Sequence, residues 1–232
     1  MKKKESREAV ARQRHRDQLK KKRRTAPSLE RPVAELIEKP LILIVCEGEN
    51  TEPSYFNQFR LSSATVKSIG EGYNTISLVE RTEVLKNENQ YDQVWCVFDK
   101  DDFDDNDFNT AIQKAETQDF KVAYSNQSFE YWLILHFDDH QGGGMHRNDY
   151  SDKINQLLAP FNVSFDGNGN KKVTEELFEL LEGVDDKTKR KRIDLAISRA
   201  KRNLKQFDPH TPAKSESSTT VFKLVELLLT YS

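Results

Sequence analysis

The stretch that decides the fold is LILIVCEGENTEPSYF, residues 41–56. Six uninterrupted apolar residues stop abruptly at a Glu-Gly pair, which predicts a strand buried on both faces and ended by a tight turn. Asn-Thr-Glu-Pro then reads as a helix start, with Thr51 as the expected cap and Pro53 in the first turn. A doubly buried strand that turns directly into a helix is the repeating unit of a parallel sheet. What needs explaining is the cluster of acids: Glu47 at the strand end, Glu49 expected to face solvent, and Glu52 at the helix start, where it serves either the helix dipole or a site beside Glu47.

Working outward, the same pattern recurs. Strands are predicted at 41–46, 65–69, 93–98 and 120–125, with helical spacing at 53–63, 74–88 and 105–118 between them. Phe56, Phe59, Leu78, Val79 and Leu85 fall on the faces expected to be buried. Residues 41–126 therefore read as an α/β core with a parallel sheet flanked by helices. From 127 to 232 the pattern becomes a helical elaboration packed on that core, with helices expected at 128–137, 149–161, 173–183, 186–207 and 218–231. Ser218 or Thr219 is the expected cap of the last helix. The glycine-rich segments 138–148 and 166–170 read as exposed loops.

Composition narrows the class. Of the 232 residues, 36% are hydrophobic and 32% charged, enough for one substantial core with extensions. The formal net charge of −2 conceals an asymmetry: residues 1–24 hold twelve Lys/Arg against three Asp/Glu, while the remainder holds 24 against 35. Residues 1–40 accordingly read as a basic arm, either a solvated tail or, through Lys20, Lys21, Lys22, Arg23 and Arg24, a nucleic-acid-binding segment. The two cysteines, Cys46 and Cys96, lie in strand-like runs and suggest neither a disulfide framework nor a zinc site. No run approaches the ~18 apolar residues of a membrane span, and no signal peptide is recognisable, so the expectation is a cytoplasmic protein.

Ligands of open parallel sheets bind beyond the carboxyl ends of the strands. Two strands here end in acid: the first delivers Glu47 with Gly48 behind it, and the third, in QVWCVFDKDDF, delivers Asp99 and Asp101. If extended geometry continues through Lys100, Asp99 and Asp101 point the same way. If the first and third strands are neighbours, all three carboxylates share one rim. Such a cluster needs a neutralising partner, and hard oxygen donors select Mg²⁺ or Mn²⁺, the chemistry of phosphodiester cleavage or transfer. By contrast, Asp102, Asp104, Asp105 and Asp107 occupy a polar turn before a helix and read as capping and solubility.

The Glu-Gly turn with a later Asp-x-Asp resembles the Toprim core of topoisomerases, bacterial primases and overcoming-lysogenisation-defect nucleases. The fuller set VCEGENTEPSYF, VFDKDD, SNQSFEYWLILHF and TTVFKLVELL, from about residue 41 to the C-terminus, resembles the RloB family of bacterial defence proteins. The resemblance implies a Toprim-like nuclease of anti-phage defence acting on RNA such as tRNA, or on DNA, often with a partner ATPase. It assigns Glu47 as the acid/base or metal-positioning glutamate and Asp99 with Asp101 as metal ligands. Family members commonly carry Pro where this chain has Gln127.

Further candidates follow from position. Glu130 is a charge leading a strongly apolar helix, where a buried acid needs a partner or a metal, and Ser125 with Asn126 would line the same rim. His136 reads as a core histidine or a site residue. Lys100 and a basic face over 187–205, including Arg190, Arg199 and Arg202, are candidate nucleic-acid contacts, with a plain exposed helix as the alternative for that face. No glycine-rich Walker loop is present, so ATP hydrolysis would fall to a partner. The competing functions are a nucleotidyl transferase or primase-like enzyme, and a noncatalytic partner-binding module.

Overall fold

The computed structural model describes residues 12–20, 39–68, 75–165 and 171–232. Residues 12–20 form an exposed helix that includes Lys20, whereas Lys21, Lys22, Arg23 and Arg24 lie outside the described residues. Residues 39–232 pack as one unit. Its centre is a four-stranded, all-parallel sheet of β1 (Ile42–Cys46), β2 (Ala64–Ser68), β3 (Gln93–Asp99) and β4 (Lys121–Ser125), in the order β2-β1-β3-β4. This helix-flanked parallel α/β architecture is the one the opening stretch predicts.

The apolar run of β1 serves two cores at once. Ile42, Ile44 and Cys46 enter one, while Leu43 and Val45 enter the other, and all five are fully buried. β3 repeats the device, with Trp95 and Val97 on one face and Val94, Cys96 and Phe98 on the other. The smaller core is closed by α2 (Thr75–Lys86) and α3 (Asp105–Thr117), through Leu78, Val79 and Leu85 and through Phe108, Ala111, Ile112 and Ala115.

The larger core lies on the opposite face. It gathers α1 (Thr51–Asn57), α4 (Glu130–Ile134), α5 (Arg147–Leu158), α6 (Glu175–Glu182), α7 (Arg192–Leu204) and α8 (Val221–Tyr231). Tyr55 is its hub, meeting Phe56, Phe59, Phe129 and Phe178 edge to face at 5.3–5.7 Å. The C-terminal helices thus complete the burial of the sheet.

Several local expectations are revised. Thr51 is the first residue of α1, not its cap, because its hydroxyl donates instead to the Lys171 carbonyl at 2.8 Å. The cap position of α8 is Thr220, and the preceding Thr219 accepts the Val221 N–H at 3.2 Å. The helix expected from residue 186 begins at Arg192. Asp185 Oδ2 accepts both the N–H and the hydroxyl of Thr188 at 2.7 Å, and this local bonding closes a turn in place of the first helical turns. Lys187, Lys189 and Arg190 therefore sit on a turn rather than on the helix face. Gln127 stands at φ 76°, a value closed to proline, so its turn differs in kind from one built on Pro.

Candidate functional site

β1 and β3 are neighbours, and from them the chain departs to opposite edges of the sheet, which makes their carboxyl ends the topological switch point. Cys46 pairs with Val97, and the Glu47 N–H extends the ladder to the Val97 carbonyl at 2.9 Å, which brings Glu47 to the end of β3. β3 runs through Asp99, one residue further than expected. Beyond it the chain does not stay extended: the Lys100 N–H bonds the Ser125 carbonyl, the Asp101 N–H the Gln127 carbonyl, and Asp101 adopts φ 45°. Asp101 joins the cluster through a left-handed turn, a conformation Asp tolerates, and not through strand alternation.

Two more acids come from the helices. Glu52 lies in the first turn of α1 and Glu130 begins α4, and their exposures are only 6% and 4%. Gly48 makes room for the first: an added Cβ would fall within 3.0 Å of the Glu52 carboxyl carbon and both its oxygens. The glycine of the Glu-Gly turn is thus the seat of a second carboxylate.

Glu47, Glu52, Asp99 and Asp101 each feel the charge of other acids in a set of five completed by Glu130. Burial, then the nearby Asp101 and Glu52 charges, pushes Glu47 up to about 8 against the pull of the Asp99 backbone and Arg147. Glu52 is raised to about 7 by burial, with Glu130 and Asp101 adding to it and Lys171 opposing. Asp99 is held well above the ordinary carboxylate range by burial and then by Glu52, Asp101 and Glu130, although its Oδ2 accepts the Phe129 N–H at 2.9 Å. Burial also raises Asp101, against its contact with Arg147.

The ion pairs within the cluster, among the described residues, are Arg147 to Asp101 Oδ2 at 2.7 Å and Lys171 to Glu130 Oε1 at 2.8 Å. Ser128 donates to the second Glu130 oxygen. Asp101 Oδ1 is buried without a hydrogen-bond partner. The donor set suits a hard divalent cation: carboxylate oxygens in excess of positive charge, one of them orphaned. Among the described residues, no three His, Cys, Asp or Glu side chains are grouped so as to hold a metal ion as they stand.

The remaining candidates go elsewhere. Lys100 is buried, its Nζ donating to the Phe103 carbonyl and pairing with Asp105 at 3.2 Å, so it pins the turn that carries Asp101 instead of reaching outward. Ser125 and Asn126 are fully buried and hold the C-terminal segment: the Ser125 hydroxyl meets Thr219 Oγ1 at 3.1 Å, and the Asn126 amide donates to the Pro212 and Ala213 carbonyls. His136 is a core histidine, with Nδ1 3.0 Å from the Trp132 carbonyl and its pKa lowered by burial to about 3. Arg199 donates to the Leu135 carbonyl at 2.7 Å, Arg202 pairs with Asp139, and Arg190 donates to Ser198 Oγ at 3.1 Å. These arginines are occupied by contacts within the fold. Sequence reasoning missed Arg147, Lys171 and Ser128, whose surroundings in the sequence are polar or glycine-rich; the one available signal was that buried acids at a strand end need cations nearby.

The class so defined is a parallel α/β protein with a partly buried carboxylate cluster at its switch point. The chain belongs to the RloB family, since the model of the RloB-like protein family matches residues 42–228. No curated protein and no solved structure matches it.

Proposed function

We propose that this protein is a metal-dependent nuclease that cleaves phosphodiester bonds of RNA or DNA in bacterial anti-phage defence, acting with a partner ATPase. The observation that carries the reading is the convergence of five carboxylates, Glu52 and Glu130 buried and Glu47, Asp99 and Asp101 half-buried, with two paired cations at the β1/β3 switch point. Asp99 and Asp101, with Glu47 beside them, would hold Mg²⁺ or Mn²⁺. When bound, such an ion lowers the pKa of an attacking water and offsets charge on the phosphate. The chain's own groups do the rest. Glu47, at the end of β1 beside the ion, takes a proton from the nucleophile or returns one to the leaving oxygen. Asp99 is oriented by the Phe129 N–H, and Gly48 lets Glu52 lie against the backbone. RloB membership supports the defence setting.

The test is incubation of the protein with Mn²⁺, end-labelled RNA and DNA, and free nucleotides. Shortened strands are expected, with at least a ~100-fold loss in Glu47→Gln and in Asp99→Asn. Incorporation of nucleotide label would make the protein a transferase instead. Defence against phage that survives an Asp99→Ala, Asp101→Ala double substitution would make it a noncatalytic module.

A further inference from the structure

Two cations reach the acid cluster, and each stands on a backbone fixed by other bonds. The Lys171 carbonyl accepts Thr51 Oγ1 at 2.8 Å; two residues on, the Val173 N–H donates to Ser54 Oγ at 2.8 Å and its carbonyl accepts Gln58 Nε2 at 3.2 Å. The segment is strapped to α1 through its main chain, so its position does not depend on the Lys171 side chain. Arg147 opens α5, whose N-terminal turn is capped by His146 accepting the Asn148 N–H.

The two ion pairs are unequal in the same way. The Lys171 side chain is 37% exposed and its partner Glu130 5%; the Arg147 side chain is 40% exposed and its partner Asp101 24%. In each pair the acid is the more deeply held and the base keeps a flank in solvent. A half-exposed base can turn away at little cost in packing, while its acid, the more deeply held of the two, stays with the cluster. A divalent ion entering the cluster competes for these carboxylate oxygens and carries twice the charge of either side chain. Once displaced, the ammonium and the guanidinium stand at the edge of the cluster with donors unpaired, and the Arg fork matches two phosphate oxygens.

We propose that Lys171 and Arg147 are exchangeable counter-ions, neutralising Glu130 and Asp101 in the metal-free protein and binding a phosphate of the nucleic-acid strand once a divalent cation enters the acid cluster and supplies its positive charge. This rests on the metal-dependent nuclease reading, and it gives the two residues opposite effects on two ligands. Removing either positive charge strengthens metal binding. Removing either also weakens binding of the strand.

The experiment titrates the full chain with Mn²⁺ by calorimetry for the wild type, Lys171→Met, Arg147→Met and the charge-preserving Lys171→Arg. Short oligouridylate and oligothymidylate are then bound in Ca²⁺, followed by fluorescence anisotropy over a range of salt. Mn²⁺ affinity is expected to rise roughly three- to tenfold in both Met variants. Oligonucleotide affinity is expected to fall about tenfold, and the slope of log K against log salt to drop by about 0.7 per lost contact. Lys171→Arg should hold near wild type for both ligands. Unchanged or weaker Mn²⁺ binding in the Met variants overturns the exchange while leaving the nuclease reading standing. Stronger Mn²⁺ binding with an unchanged salt slope overturns the phosphate role. A wild-type protein that binds no Mn²⁺ overturns both this inference and the metal-dependent reading beneath it.

Discussion

Two buried polar clusters stand at the carboxyl edge of the same sheet, and they are built on opposite terms. At the end of β4, Ser125 and Asn126 are neutral and closed in by the C-terminal segment. The Asn126 N–H bonds the Ser218 carbonyl at 2.8 Å, its side-chain amide donates to two further carbonyls at 2.9 Å, and Tyr124 and Thr220 exchange bonds at 2.8 and 2.9 Å. At the ends of β1 and β3, five carboxylates meet two half-exposed cations, and Asp101 Oδ1, like Asn126 Oδ1 in the neutral cluster, has no hydrogen-bond partner. Burial of polar groups is common to both and so is not by itself a sign of function. The neutral cluster spends its donors on tying the chain together; the acidic one holds more carboxylates than cations, an excess that bound protons or an incoming cation can balance.

The sharpest way to break that comparison is to substitute one amide and one acid. Asn126→Ala leaves the buried Pro212 and Ala213 carbonyls without their donor, and should cost about 2–4 kcal/mol in a denaturant melt. Asp99→Asn keeps an oxygen to accept the Phe129 N–H but replaces a carboxyl whose ionised form is opposed by burial and by three neighbouring acids. At pH 8 it should stabilise the fold by about 1 kcal/mol. A loss from Asp99→Asn as large as that from Asn126→Ala would mean that the acid cluster is structural after all.

The second contrast is in pH. An unfolded chain ionises its glutamates near 4.5, whereas folded Glu47 keeps its proton to about 8 and Glu52 to about 7. Between those limits the folded state binds more protons, so each rise in pH favours unfolding. The stability is present in full below 4.5 and lost as pH passes through 8. Melts without divalent ions should show a decline on the order of 5 kcal/mol between pH 5 and 8. Saturating Mn²⁺ should flatten it, and Glu47→Gln should reduce it; an equal decline in Glu47→Gln would detach it from this cluster.

How much of this was legible in the sequence depends on whether a residue's role is set by its own segment. The strands were readable because burial on both faces of β1 and β3 demands uninterrupted apolar runs, and Glu47 and Asp99 were readable because they directly follow such runs. Glu130 stood out as a charge heading an apolar helix. The convergence of Asp101 was anticipated, but its route was not, since a left-handed turn held by the Gln127 carbonyl depends on a partner distant in sequence. Arg147 and Lys171 were illegible for the same reason: nothing local marks a lysine or arginine that reaches an acid about 40 residues away, as Lys171 does. Ser125 and Asn126 were legible as residues of that rim, Ser125 lying opposite Asp99, but only the return of residues 212–220 shows what occupies their side chains.

The smallest effect expected is at Arg202, where charge pattern and structure part company. On a helix rich in Lys and Arg it reads as a nucleic-acid contact, yet it is paired with Asp139 and bonded to the Asn203 side chain. Both partners of the ion pair are nearly half exposed, 46% and 44%, so solvent screens it. Arg202→Ala should cost about 0.5 kcal/mol or less in a thermal melt. In the oligonucleotide assay it should leave affinity and salt slope where they are, because a guanidinium already satisfied by a carboxylate releases few counterions on binding. A loss comparable to that of Lys171→Met would move the strand's path onto α7 and away from the acid cluster, and the distinction between half-exposed cations that serve the fold and those that serve the site would fail.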